Sequence, residues 1–214
     1  MKKQVTIIEH EMTNLRNVIM AFKYIDADVI VTDSYKKICE AERLVLPGVG
    51  AFPSGMAELK KKGLVESIIN FAKTDRPFLG ICLGMQMMFE YSEEFKTTKG
   101  LALIPGKVVA VPKTTIDAVK HKIPHIGWNR LSIPSNNCVW NNTIFNSIKP
   151  LTSMYFVHSY TAIPTYEINR LADCYYNGRL ISAAVKADNL YGCQFHPERS
   201  GKKGLNVIQS FLNL

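Results

Sequence analysis

Through the first half of the chain, short runs of apolar and β-branched residues alternate with stretches whose apolar positions follow a helical spacing. Residues 5–8 read as a strand, and 14–24 as a helix with Leu15, Val18, Ile19 and Phe22 on one face. A second strand is predicted over 28–32 and a third over 44–46, the latter broken by Pro47-Gly48-Val49-Gly50. Helices are predicted over 55–61 and 64–74, then a strand at Pro77-Phe78-Leu79 and a helical pattern from Met85 to Glu90. Strands alternating with helices imply βαβ units, hence a mostly parallel central sheet flanked by helices on both faces. From about Gly106 the texture changes. Short strands at 107–111, 139–140, 155–160 and 180–185, separated by polar turns, point to an antiparallel extension in the C-terminal half. Residues 192–195 read as a further strand and 204–212 as a closing helix. The expected architecture is one α/β domain spanning 1–214.

Size and composition narrow the classes. At 214 residues, 47 % hydrophobic and 21 % charged, the chain has ample material for one globular core. No apolar run approaches the roughly 20 residues of a bilayer span, and Met1-Lys2-Lys3-Gln4 leads straight into a strand without a signal-peptide pattern. A cytoplasmic protein without membrane association is expected. The five cysteines have no paired spacing, so neither a disulfide framework nor a zinc site is indicated, and Cys39, Cys138, Cys174 and Cys193 read as packed or incidental thiols. No metal or cofactor is expected. The net charge of +8 raises the question of nucleic acid. Its lysines, however, fall in scattered groups (Lys36-Lys37, Lys60-Lys61-Lys62, Lys202-Lys203) with no aromatic stacking platform between them. They read as solvated faces, or as a surface for an acidic partner or an anionic substrate.

Candidate chemistry sits at Gly80-Ile81-Cys82-Leu83-Gly84, where a strand must turn sharply into a helix with a cysteine at the tip. Two glycines flank it because such a turn brings backbone against backbone. A thiol beside a helix N-terminus is favoured as the thiolate, and a thiolate nucleophile needs a base. Gln194-Phe195-His196-Pro197-Glu198 offers one: His196 as base, with Glu198 two residues on to orient it. Attack on an amide carbon creates an oxyanion, for which the N–H of Leu83 and the turn Gly48-Val49-Gly50 are candidate donors. Gln86, one helical turn beyond Cys82, looks back into the same pocket. Glu94 is expected where that helix frays, placed to meet an ammonium group. Both strand ends lie where open α/β sheets bind ligands.

With these residues in place, Gly80–Gln86 and His196-Pro197-Glu198 resemble the class I (triad) glutamine amidotransferases. Further stretches narrow the resemblance to the glutaminase subunits of imidazole glycerol phosphate synthase. They are residues 46–52, Pro124-His125-Ile126-Gly127-Trp128-Asn129, Tyr155-Phe156-Val157-His158-Ser159-Tyr160 and His196-Pro197-Glu198-Arg199-Ser200. The resemblance implies the corresponding fold and a Cys82 glutamyl thioester. It implies L-glutamine bordered by Gly48, Gln86, Glu94, His158, Ser159 and Tyr160. It also implies a heterodimer with a HisF-type (β/α)8 cyclase that takes up the ammonia, faced by Asn14, Trp128, Tyr155 and Arg199. By residue type alone, Trp128 and Tyr155 would read as core aromatics.

Two departures matter. Where the family carries an Asp-Tyr-Gly-x-Gly-Asn-type segment, this chain has Glu9-His10-Glu11-Met12-Thr13-Asn14, and both glycines are gone. Arg199 stands where a lysine is common, keeping the charge but changing its geometry. These departures leave open a second destination for the ammonia: paralogues of this subunit, with their own barrel partner, that serve enzymes making acetamidino sugars for surface polysaccharides or flagellar glycans.

Overall fold

The alternation of the first half folds into a wound sheet. The computed structural model describes residues 2–11, 13–135 and 138–214. In chain order the elements begin β1 (Gln4–Ile8), α1 (Leu15–Tyr24), β2 (Asp28–Thr32), α2 (Tyr35–Glu40), β3 (Leu44–Gly48), α3 (Phe52–Lys61), α4 (Val65–Ala72), β4 (Phe78–Cys82) and α5 (Leu83–Met87). They continue with β5 (Phe89–Ser92), β6 (Thr98–Lys99), β7 (Ile104–Ala110), β8 (His125–Arg130), β9 (Ser153–His158) and β10 (Tyr160–Pro164). The chain closes through β11 (Arg170–Tyr176), β12 (Arg179–Ala187), β13 (Leu190–Cys193), a 3₁₀ turn at Pro197–Arg199 and α6 (Gly201–Leu212).

A seven-stranded sheet runs in the order β11-β12-β13-β4-β3-β1-β2. Strands β2, β1, β3, β4 and β13 are mutually parallel, while β12 and β11 add antiparallel at one edge. This is the mostly parallel sheet with an antiparallel extension that the sequence predicts. The other late strands make separate sheets: β10-β7-β5-β6 and the hairpin pair β8-β9.

Period-two alternation sends the strand side chains into two cores. Val5, Ile7, Val45, Leu79 and Ile81 pack on one face with Val18 and Phe22 of α1 and Phe211 of α6. Leu44, Leu46 and Phe78 pack on the other with Ile38, Met56, Leu59, Ile68 and Phe71. An edge-to-face contact of Phe22 with Phe211, centroids 6.3 Å apart, ties the first helix to the last. None of the helices among the described residues is long and apolar enough to cross a membrane.

Three local expectations are corrected. The helix after Cys82 does not extend to Glu90. It stops at Met87, because the carbonyls of Met87 and Met88 accept from Leu101, Leu103 and Ile104 as the chain folds back, and Phe89 enters β5 instead. Glu94 therefore lies beyond a strand, not at a fraying helix end. Residues 139–140 form no strand. Trp140 is buried in a loop, its indole N–H donating to Leu171 O at 2.7 Å, so packing and one hydrogen bond satisfy it without a ladder. Helix α2 is an amphipathic segment too short to announce itself by periodicity. In the divergent segment, Met12 lies outside the described residues. Its neighbour His10 is buried and donates Nε2–H to Pro47 O at 2.7 Å, anchoring the start of the Gly48–Gly50 turn.

Candidate active site

Parallel strands β3, β4 and β13 end side by side, and each end contributes to one site. The register pairs Gly48 with Cys82 and Cys193 with Ile81, so the glycine turn, the thiol and the segment carrying His196 share one sheet edge. Cys82 has φ +53° and ψ −110°, a conformation that L-residues avoid and that points its side chain out of the strand-to-helix turn. The flanking glycines permit that turn by close approach. A Cβ on Gly84 would fall 1.8 Å from Leu46 O, and one on Gly80 2.8 Å from Met85 Cα.

His196 is buried, and its Nδ1–H donates to Glu198 Oε1 at 2.8 Å. Glu198 sits behind the ring, away from the cavity. The other ring nitrogen, Nε2, is buried and has no hydrogen-bond partner within ordinary limits. Burial lowers the pKa of the ring, but the adjoining Cys82 sulfur and Glu198 outweigh it and push His196 up to about 10. The imidazole is thus set up to hold a proton facing sulfur. Cys174 and Cys193 are buried thiols pushed upward by desolvation, the opposite of activation.

A cavity of about 230 Å³ opens over Cys82, lined by Val49, Gly50, Leu83, Gln86, Glu94, His158, Ser159, Tyr160 and His196, with Pro124 and Val157. It is smaller than the roughly 300–1,000 Å³ typical of drug-sized sites, which suits a ligand of amino-acid size. Gly48 is buried at the end of β3 and does not line it. Leu83 opens α5, so its N–H belongs to the first turn, where no intrahelical acceptor exists. Glu94 Oε2 accepts from Phe52 N at 2.7 Å and so fixes the start of α3, and burial raises its pKa.

Behind this wall lies a directed network. Tyr160 O accepts from His158 Nδ1–H at 2.9 Å and from Gln86 Nε2 at 3.0 Å. With its Nδ1 protonated, neutral His158 accepts at Nε2 from His125 Nδ1–H, 2.9 Å away. Burial, first of all, brings His125 down to about 4, with the nearby His121 ring adding to the effect, and His158 to about 3, with His125 and His196 adding to it. Both are therefore neutral in the fold, and unfolding takes up protons once the pH drops below the ordinary histidine range. The stability they confer is complete above about pH 6.5 and is lost as pH falls through the folded values. The Tm should accordingly be lower at pH 5.0 than at pH 7.5, and the acid loss should be smaller in His125→Gln. Equal losses in the two proteins would contradict this assignment.

Away from the cavity, Trp128 is 59 % exposed and meets Tyr155 edge to face, and the Arg199 guanidinium stacks over the Tyr155 ring at 4.6 Å. These three form one aromatic–cationic cluster, and Trp128 is not a core residue. Asn14 stands half-buried at the start of α1, with no side-chain capping bond. Pro124, His125, Val157 and Gln194 escape a residue-by-residue reading of the sequence. The signals for two of them are positional: Gln194 lies two residues from His196, and His125 sits opposite His158 in the β8–β9 register.

The model of the family described as "Glutamine amidotransferase class-I" matches residues 6–213. The chain is 50 % identical over 210 residues to imidazole glycerol phosphate synthase subunit HisH 1 of Legionella pneumophila (strain Lens), covering 98 % of this chain and 99 % of that protein. It is 39 % identical to the HisH subunit of Sulfurimonas denitrificans, covering 97 % and 96 %. Among solved structures, PurLQS from Thermotoga maritima superposes with a TM-score of 0.71 at 19 % identity, over 100 % of this chain and 99 % of that one. A glutamine amidotransferase from Thermotoga maritima gives 0.59 at 18 %, over 100 % and 84 %. These two likenesses concern the fold.

Proposed function

The chain belongs to the class-I glutamine amidotransferase family, and on that premise we propose that Cys82, His196 and Glu198 hydrolyse L-glutamine to glutamate and ammonia. It is a glutaminase subunit of imidazole glycerol phosphate synthase, an enzyme of histidine biosynthesis; its likeness to HisH subunits runs over nearly the whole chain. The glycan-directed alternative is not favoured by these relatives. The whole chain acts as one amidotransferase domain.

The thiolate of Cys82 attacks the γ-carboxamide carbon, and the resulting oxyanion is met by the N–H of Leu83 with the Val49–Gly50 turn beside it. His196 gives its proton to the departing ammonia, leaving a glutamyl thioester on sulfur. It then takes a proton from water, whose oxygen attacks the thioester and releases glutamate. Glu198 keeps the ring's tautomer and orientation throughout. Both donors of Gln86 are used inside the protein, so its Oε1 is the atom left to receive an N–H from the bound amino acid. Glu94, Ser159, Tyr160 and His158 border the same ligand. Ammonia passes to a HisF-type (β/α)8 cyclase that docks on Trp128, Tyr155 and Arg199, with Asn14 at the margin. The exposure of Trp128 supports this docking face.

The observation that carries the reading is the buried Glu198–His196 pair aimed at a strained cysteine on the rim of an amino-acid-sized cavity. A glutamine-mimicking diazoketone should alkylate the protein once, at Cys82, by peptide mass mapping. An adduct elsewhere, or none in the assembled synthase, would overturn it.

A further inference from the structure

Gln194 is fully buried one residue past β13, in the wall behind the thiol. Its amide orientation follows from the acceptors around it. Tyr160 O can only accept, so the Gln86 amide must present Nε2 there, and the same nitrogen donates to Gln194 Oε1 at 2.9 Å. That leaves Gln194 Nε2 directed at Cys82 Sγ, 3.8 Å away. Opposite it, Val157 O lies 3.9 Å from the sulfur. The carbonyl suits a thiol, to which it offers an acceptor; the amide N–H suits a thiolate, which a carbonyl would repel. The two protonation states of Cys82 thus have different partners, and Gln194 serves the reactive one.

We infer that Gln194 is a further catalytic residue, which donates an N–H to the Cys82 sulfur, favours its thiolate and locks Gln86 in the orientation that receives substrate. The inference deepens the glutaminase reading and rests on Cys82 being its nucleophile. Titratable groups around the sulfur are His196 and Glu198 after β13, Cys193 ending β13, His158 ending β9, Tyr160 opening β10 and Glu94 beyond β5. None of them is altered by changing Gln194.

The test is the pH dependence of Cys82 alkylation by iodoacetamide in the full-length chain, followed by mass mapping. Gln194→Met removes the donor and nearly preserves length. It should move the midpoint of alkylation to higher pH and lower kcat/KM for glutamine about tenfold. Gln194→Glu keeps an acceptor for Gln86 but places a carboxylate oxygen at the sulfur, so its midpoint should move further, by about one unit or more. A purely packing role would lower Tm in both variants and leave the midpoint where it stands in the parent protein, and that result overturns the inference. Should Gln194→Glu fail to fold, Gln194→Met alone decides. Alkylation uses no glutamine. A parent protein that shifts as described on mutation yet never hydrolyses glutamine in the assembled synthase would sink the glutaminase reading and uphold the role of Gln194.

Discussion

Replacement of Cys82 by alanine is expected to abolish glutamine-dependent synthesis by the assembled enzyme, by at least about 10³-fold, while synthesis from added ammonia continues. The magnitude follows from there being no substitute. Cys174 and Cys193 are sealed in the core and pushed toward the neutral thiol, and among the described residues no other cysteine lines the cavity. The fold should survive, since alanine at φ +53° is no more strained than cysteine and loses only a sulfur at the cavity rim. Retention of glutamine-dependent turnover would remove Cys82 from the chemistry. Loss of the ammonia-dependent reaction as well would mean that this subunit does more for its partner than supply ammonia.

Gly84→Ala should be the most damaging single methyl in the molecule. Its Cβ would stand 1.8 Å from Leu46 O and 2.8 Å from Leu46 C, both backbone atoms of the central strand β3, so no side-chain rotation can relieve the overlap. Relief requires moving α5 off the sheet, which opens the core built on Leu83, Met85 and Met87. A cost above about 4 kcal/mol is expected, a large share of the roughly 5–15 kcal/mol available to a native domain. The measurement is Tm, or soluble yield where the protein no longer folds. Gly63→Ala is the control: its φ of +67° disfavours alanine, but nothing lies within 4 Å of the added carbon, so only about 1 kcal/mol should be lost. Similar behaviour of the two variants would contradict the packing account.

The wound sheet and the meeting of Cys82 with His196 are legible in the sequence because they rest on local signals. Short apolar, β-branched runs mark β1 to β4 and helical periodicity marks α1, α3 and α4, glycines two positions either side of a cysteine mark a crowded turn, and a parallel sheet brings strand ends together whatever their distance in sequence. What fails to show is set by contacts made across the fold. Helix α5 ends at Met87 because residues 101–104 return to cap it, a fact absent from the apolar run itself. Trp140 has the β-branched, aromatic company of a strand but directs its one donor to Leu171. Gln194 and His125 stand inside stretches singled out in the sequence, but their roles do not show there, because their partners are chosen by the register of β13 against β4 and of β8 against β9. Glu94 reads from the sequence as a ligand for an ammonium group, and its tether to Phe52 emerges only in three dimensions.

The position of β13 has a consequence during synthesis. This strand, third of seven across the sheet, is the last to leave the ribosome, and it slots between β4 and β12, which are made earlier. Until it inserts, the sheet is split and the thiol has no base. A nascent or truncated chain that ends before residue 196 therefore lacks the base for its thiol and squanders no glutamine.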